Sequence, residues 1–299
     1  MGALIEAAAV SRPGFFRGGS VDLAVKAAAD CLAAAGLDPN DVGILVNTGI
    51  YRDRDIGEPS IASFIQRRIG ANEIFTGARS TFSFDLNNGG GGIITAAMIV
   101  DGFLTSGTVK YGLIVTSDNE PHPGQCVSYP FIPAGAALLL SAGREDEGFV
   151  GFRTDTEGKY AADFTSRIEW REKKGKERNI LVVRQEQDYA AHCALCARKS
   201  LDLFLAEMSL RIEDIDIVIP SQSPAGWLEE IKRIEGMERR LVVPPGGPPR
   251  MHTAGPGFAL ALARQDGRFD RARNCLFLTV GAGITVSLAL YRNPARKNQ

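Results

Sequence analysis

Apolar residues along the chain follow two spacings. Short runs rich in Val, Ile, Leu and Phe lie at residues 42–47, 82–86, 111–117, 136–141, 215–220 and 275–280. Each is bounded by turn-forming residues and is too short for a helix, so each predicts a buried strand. Between most of them the apolar residues return every three or four positions. That spacing predicts helices over 21–35, ending at Gly36; over 60–69, ending at Gly70; over 93–105, ending before Gly107; over 185–208; and over 257–264, entered through Gly255 and Pro256. Strands alternating with helices predict an α/β fold with largely buried sheets. The stretch 144–184 is the least periodic and most charged, with the run from Arg171 to Arg178 at its centre, and reads as a solvated connection.

The pattern occurs twice. Residues 37–46, from Leu37 through Asp41 to Val46, match residues 210–219, from Leu210 through Asp214 to Ile219, and both stretches follow a helix and open a strand. Gly90, Gly92, Asp101 and Gly102 then match Gly255, Gly257, Asp266 and Gly267 at a constant offset of 165. Two matches in the same order predict duplication of an α/β unit of about 130 residues.

Composition narrows the partners. With 34 Lys+Arg against 35 Asp+Glu the net charge is −1, so no basic field exists to attract nucleic acid or an anionic membrane face. Small or acidic partners fit better. Five cysteines, an odd number in 299 residues, are too sparse for a disulfide scaffold and point to a reducing, cytoplasmic setting. No apolar run is long enough to span a membrane, and the first residues lack the order of a signal peptide. The 33 glycines exceed the usual share and direct attention to where they cluster.

That cluster is Gly89, Gly90, Gly91 and Gly92, between the strand at 82–86 and the helix at 93–105. Consecutive glycines expose backbone N–H groups at a helix N-terminus, where orphan donors and the helix dipole favour negative charge. The turn is therefore a candidate oxyanion or phosphate site. No Lys-Ser/Thr follows, which excludes a P-loop, and the spacing fits a dinucleotide fingerprint poorly. The competing reading is a tight turn that lets the helix pack close to its strand.

Phe84-Asp85-Leu86-Asn87-Asn88-Gly89-Gly90-Gly91-Gly92 resembles the nucleophile turn of the β-ketoacyl-acyl-carrier-protein synthase III family in the thiolase superfamily, whose pattern is close to F-D-hydrophobic-x-x-A-C-x-G. Residues 58–71, from Glu58-Pro59-Ser60 to Gly70-Ala71, look like the family's P-S-x-A-x-x-V-Q-x-x-L-G-A helix. Residues 106–118 look like its next strand, and Gly281-Ala282-Gly283 resembles its C-terminal G-x-G turn. The likeness runs from about Val21 to Leu290. It implies a thiolase-like fold of two duplicated α/β halves in a five-layered α-β-α-β-α arrangement, with an acyl thioester on acyl carrier protein or coenzyme A as ligand. It also implies dimerisation through the central sheets.

The departures fall on the chemistry. The family's nucleophilic cysteine aligns with Gly90, its H-Q-A-N histidine with the Ser221-Gln222-Ser223-Pro224 segment, and its G-N-T-S asparagine with His252. The family's thiolate, histidine and asparagine are thus all replaced. The family's coenzyme A adenine is held by Trp and Arg groups in a long segment after the first strand. Here Ser11 to Ser20 offers only Arg12 and Arg17, so binding of coenzyme A in that manner is doubtful, whereas a carrier-borne acyl chain needs less of it.

Among the remaining reactive residues, His252 is the candidate base or carbonyl-polarising group, the bland alternative being a histidine that fills vacated space. Ser221 is a candidate catalytic residue with His252, and it and Ser223 are candidate hydrogen-bond donors to a ligand, although a serine without an adjacent base is a poor nucleophile. Asn88, Gly89, Gly90, Gly91, Gly92 and Gly283 complete the candidate ligand-binding set. Cys193 and Cys196, after His192, read as helix packing rather than a zinc site, because the other ligand types are scattered. Cys31 and Cys275 read as core. Cys126 is a conceivable displaced nucleophile, and Trp170 and Trp227 read as packing. No metal and no cofactor are expected.

The expected organisation is an N-terminal half at 1–145, a charged connecting segment at 146–184 and a C-terminal half at 185–299. The expected function is a ketosynthase III-like protein of fatty-acid, polyketide or secondary-metabolite biosynthesis with a degenerate site, as a non-catalytic or pocket-shaping homodimer or heterodimer partner of an active ketosynthase. The alternative is a Cys-independent acyltransferase, decarboxylase or hydrolase working through His252 and the backbone donors at 89–92.

Overall fold

The computed structural model describes residues 2–14, 18–74, 76–77, 80–122, 124–173, 176–244 and 250–294. The first half runs β1 (Ala3–Ser11), α1 (Ser20–Ala35), β2 (Val42–Asn47), α2 (Ile61–Ile69), β3 (Phe82–Asp85), α3 (Gly92–Thr105), β4 (Tyr111–Asp118) and β5 (Ala134–Ala142). There follow β6 (Gly148–Thr156), β7 (Phe164–Lys173), β8 (Lys176–Gln185), α4 (Tyr189–Glu207), β9 (Ile217–Pro220), α5 (Trp227–Lys232), α6 (Gly255–Gln265), α7 (Arg268–Arg271), β10 (Asn274–Gly281) and β11 (Thr285–Arg292).

Side-chain alternation in the strands sets the layers. In β4, Ile114 faces inward to α3 and α6, while its neighbours Leu113 and Val115 face outward to α1 and α2. In β10, Cys275 and Phe277 face inward, and Leu276, Leu278 and Val280 meet α4 and α5. Both sheets are therefore covered on both faces, which is why their strands read as unbroken apolar runs. The first sheet has the order β1-β5-β4-β2-β3 and the second β6-β11-β10-β9. Five layers result: α1 and α2, the first sheet, α3 and α6, the second sheet, then α4 and α5.

Local signals account for the element ends. Ser60 caps α2, and Gly36 and Gly70 end α1 and α2 in left-handed conformations, φ 63° and 77°. The duplication has a structural counterpart, since both matched segments pass through a short 3-10 turn, Pro39–Asp41 or Ile212–Asp214, into β2 or β9. The matched glycines open α3 and α6, the two helices of the middle layer.

The stretch read as a solvated connection is instead built of strands. β6 extends the second sheet by pairing with β11, and β7 and β8 form a separate antiparallel hairpin. Among the hairpin's described side chains, Phe164, Ile180, Leu181, Val182 and Val183 are buried, while those at 165–168 and 170 are exposed. With most of the described β7 positions exposed, too few apolar residues recur there to show a period. Residue 185 closes β8, so the helix expected from 185 starts at Tyr189. Trp227 is fully buried as expected, but Trp170 on β7 is 62% exposed and does not pack. Cys31, Cys193, Cys196 and Cys275 lie in the core, and all five cysteines are free thiols. No helix among the described residues is long and apolar enough to cross a membrane.

Candidate functional site

The glycine turn is positioned from behind by Asp85. Its carboxylate accepts hydrogen bonds from the Ile61 and Ala62 N–H groups at the start of α2, 2.8 and 2.9 Å, and from Asn47 Nδ2 at 3.0 Å, and it pairs with Arg52 at 3.1 Å. β3 is thereby tied to α2 just before the chain turns. Gly89–Gly91 then form a 3-10 turn in which the Gly91 N–H donates to Asn88 O and the Gly92 N–H to Gly89 O. Asn88 Nδ2 donates to Thr95 Oγ1 at 2.7 Å, which commits that side chain to the helix. Two of the four glycine N–H groups expected to face a ligand are therefore spent inside the turn.

The turn also presses against the second half. A Cβ added at Gly90 would lie less than 3.0 Å from the Val280 carbonyl oxygen, closer than real Cβ atoms come. At Gly91 it would meet Ser287 Oγ at 2.8 Å, and at Gly92 the Thr48 Cβ at 2.9 Å. The close-packing reading therefore holds for these three. Gly89 differs, with φ +48° and no neighbour nearer than 3.6 Å, and it alone of the four lines a cavity.

That cavity, about 160 Å³, sits between the two halves. Its walls include Tyr51, Phe131, Phe164 and Tyr189, with Gly281 and Ala282 beside Gly89, and its polar groups include Ser166, Ser223 and His252. The His252 ring stacks on Phe131 at 4.3 Å, and its Nδ1 lies 3.3 Å from Ser223 Oγ. Burial pushes the imidazole pKa below its ordinary value, partly opposed by the nearby Asp118 carboxylate, so the ring is neutral near pH 7.

Asp118 joins the two sides of this cavity. One carboxylate oxygen accepts from the Ile50 and Tyr51 N–H groups at 3.0 and 2.9 Å; the other accepts from the Thr253 N–H at 2.9 Å and from the Thr253 hydroxyl. The loop after β2 and the loop before α6 are thus held by one buried anion. Asp118 closes the strand segment matched to the resembled family, but no pattern marked it as an anchor. Tyr51, Phe131, Phe164 and Ser166 had no sequence signal at all, because they come from separate segments that meet only in the fold.

Other candidates are placed elsewhere. Ser221 is fully buried off the cavity, where its hydroxyl accepts from the Val280 N–H at 3.1 Å and faces Ser223 O at 3.4 Å, a backbone-bracing position. Gly283 lies in the β10–β11 turn, and its neighbours Gly281 and Ala282 reach the cavity instead. Cys126 lies outside the cavity lining; burial, with Glu120 beside it, pushes its thiol up to about 11, which leaves it protonated at neutral pH. His192 pairs with Asp163 at 2.6 Å on the outer side of α4. Among the described residues no cluster of three or more His, Cys, Asp or Glu is arranged to hold a metal.

A larger cleft of about 700 Å³ touches the cavity only through Phe131. Asp53, Arg54, Asn119 and Glu120 line it, and Arg54 is the one cation among its described lining residues. Arg12 lies over the Phe258 ring at 5.1 Å, and Arg17 falls outside the described residues.

The five-layered architecture, with the cavity between two α/β halves, is thiolase-like. A solved 3-oxoacyl-(acyl-carrier-protein) synthase III superposes with TM-score 0.81 at 18% identity, over 98% of this chain and all of that one. Xanthomonas campestris OleA, in a cysteine-to-serine variant with bound lauric acid and lauroyl-CoA, superposes with TM-score 0.79 at 16% identity, over 98% and 99%. By sequence, the β-ketoacyl-[acyl-carrier-protein] synthase III of Clostridium perfringens is 23% identical over 283 residues, 91% of this chain and 84% of that protein. No family model matches the chain. By sequence and by fold the chain is thus similar to β-ketoacyl-acyl-carrier-protein synthase III proteins.

Proposed function

We propose that this protein takes an acyl group, presented as a thioester on an acyl carrier protein or coenzyme A, into the cavity beside His252 and holds it without forming a covalent acyl-enzyme. In this reading it is a non-catalytic, pocket-shaping partner of an active ketosynthase in fatty-acid, polyketide or related secondary-metabolite biosynthesis. The observation that carries it is the packing at Gly90. The position that aligns with the family's nucleophile has no room for even a Cβ, and the one wall glycine with space, Gly89, has no side chain to offer.

Pairing with another chain is supported by β3, an edge strand of the first sheet. Phe82 on it is 57% exposed and lies 5.0 Å from Phe84 and 6.3 Å from Phe103. Five free thiols support a reducing, cytoplasmic setting. The test is mass measurement after incubation with acyl-coenzyme A and acyl-carrier proteins. No covalent adduct is expected, and condensation is expected only when an intact ketosynthase is present. An adduct, on Cys126 or elsewhere, overturns the reading.

One observation favours a second reading. A neutral imidazole 3.3 Å from the Ser223 hydroxyl can act as a base or carbonyl-polarising pair, which supports Cys-independent acyl transfer, decarboxylation or hydrolysis. Turnover of an acyl thioester by the purified chain alone, lost in His252→Ala, would select this reading over the first.

A further inference from the structure

Five rings border the cavity between the two halves, against two branched aliphatic side chains, Ile50 and Val280, among its described lining residues. Tyr189 lies 5.5 Å from Phe164, and Phe164 lies 6.3 Å from Phe131. Phe131 in turn stands 4.3 Å from the His252 imidazole and 5.4 Å from Tyr51, which is 5.3 Å from His252. The rings thus form one connected wall, although they come from the loop after β2, the loop before β5, β7, α4 and the loop before α6. Aromatic residues that served packing alone would close on one another; these leave about 160 Å³ open beside them.

The chemistry of the wall limits what can fill that space. The phenol hydroxyls do not make it polar, since Tyr51 is set against Ser166 and Tyr189 against Cys193, and burial pushes both phenols up so that they stay protonated. None of the described lining residues carries a charged side chain at neutral pH, so a carboxylate or ammonium on the ligand would be desolvated without a partner. The volume is close to that of an apolar cavity that admits benzene, so about six heavy atoms fit and a long chain does not. A flat six-membered ring fills such a space with no torsions of its own to freeze. It also meets the wall rings through offset or edge-on contacts that a saturated group of equal size cannot make.

We infer that the acyl group taken by this cavity is an uncharged aromatic one of benzoyl size, seated among Tyr51, Phe131, Phe164 and Tyr189, with His252 and Ser223 left for its carbonyl. The inference rests on the acyl-binding reading above, whose acyl group it names. It makes Phe164 a specificity-determining residue. Phe164 stands on the β7–β8 hairpin, outside both large sheets, so its ring can be exchanged without disturbing either of them.

The test is calorimetric titration with N-acetylethylenediamine amides of benzoate, cyclohexanecarboxylate and butyrate, in which nitrogen stands in place of the thioester sulfur so that nothing is hydrolysed. The benzoyl ligand is expected to bind about 10-fold more tightly than the cyclohexyl one, the worth of one good ring–ring contact, and the butyryl ligand more weakly still. Phe164→Leu keeps the wall apolar and should cut the benzoyl preference about 3-fold while leaving cyclohexyl affinity within about 2-fold. A thermal melt checks that the variant is folded, and the ranking on the unaltered protein needs no variant. Cyclohexyl or butyryl binding as tight as benzoyl, or a preference that survives Phe164→Leu in full, overturns the inference and leaves the acyl-binding reading standing. Binding of none of the three amides overturns both, and capture of tetramethylammonium in their place would assign the rings to a cation instead.

Discussion

The two helices of the middle layer, α3 and α6, open at matched glycines, yet their N-termini are built for different work. At α3 the chain enters through four glycines, of which Gly90 packs on the backbone at the end of β10 and has no space for a side chain. At α6 it enters through His252 and Thr253, both buried, with Thr253 tied to Asp118 and His252 stacked on Phe131 at the cavity. Both ends offer a helix dipole, and only the second brings functional side chains to it. A helix N-terminus in the right place is therefore not by itself a site; the side chains and the open space beside it decide.

The comparison is most exposed at Asp118, the group that belongs to neither helix and holds the second entry in place. Asp118→Ala strands four donors around a buried hole, and a loss of about 4 kcal/mol in urea unfolding is expected, with acyl binding abolished. Wild-type stability in that variant would mean that the His252 loop is held by other contacts.

Gly90→Ala tests the first entry. The added methyl meets the Val280 carbonyl rather than a flexible side chain, so a cost of about 3 kcal/mol is expected, and Gly90→Cys should fare no better and acquire no condensing activity. A stable Gly90→Cys protein that forms an acyl thioester would erase the contrast between the two helix entries.

A smaller effect sharpens the account of the second entry. His252 is neutral in the fold because burial lowers its pKa, whereas the unfolded chain takes up a proton below about pH 6.5. The unfolded state binds more protons in that window, so stability is present above it and is lost as pH falls through it. Unfolding measured at pH 7.5 and 5.5 should show this loss, and His252→Gln should reduce it by about 1 kcal/mol. Carboxylates such as Asp22 and Asp266, held below their ordinary pKa chiefly by hydrogen bonds from Arg68 and Arg268, contribute losses only at lower pH. The smallest change is expected for Cys126→Ser, with stability within about 0.5 kcal/mol and acyl binding unaltered.

The apolar strands, the glycine-ended helices and the internal repeat were legible in the residues, because a strand buried on both faces and a helix buried on one each leave a local period. The hairpin was not, since Trp170 and Arg167 face solvent and leave β7 without a buried period. The cavity lining was half legible: His252, Ser223 and Gly89 border it, while Ser221, Asn88 and Gly283 stand beside it with their groups spent or turned elsewhere. Tyr51, Phe131 and Asp118 were invisible as site residues because they become neighbours only when β2, β4, β5 and α6 meet.

By itself, then, the sequence determined the layered α/β architecture and the absence of a side chain at Gly90, both properties of short segments. Whether that absence left an opening was decided by tertiary packing, which set the end of β10 against Gly90 and sealed it. The same packing gathered a neutral histidine and four aromatic walls around a small cavity beside Gly89. Local periodicity records which face of an element is buried, but only the meeting of distant segments determines what the buried space between them can hold.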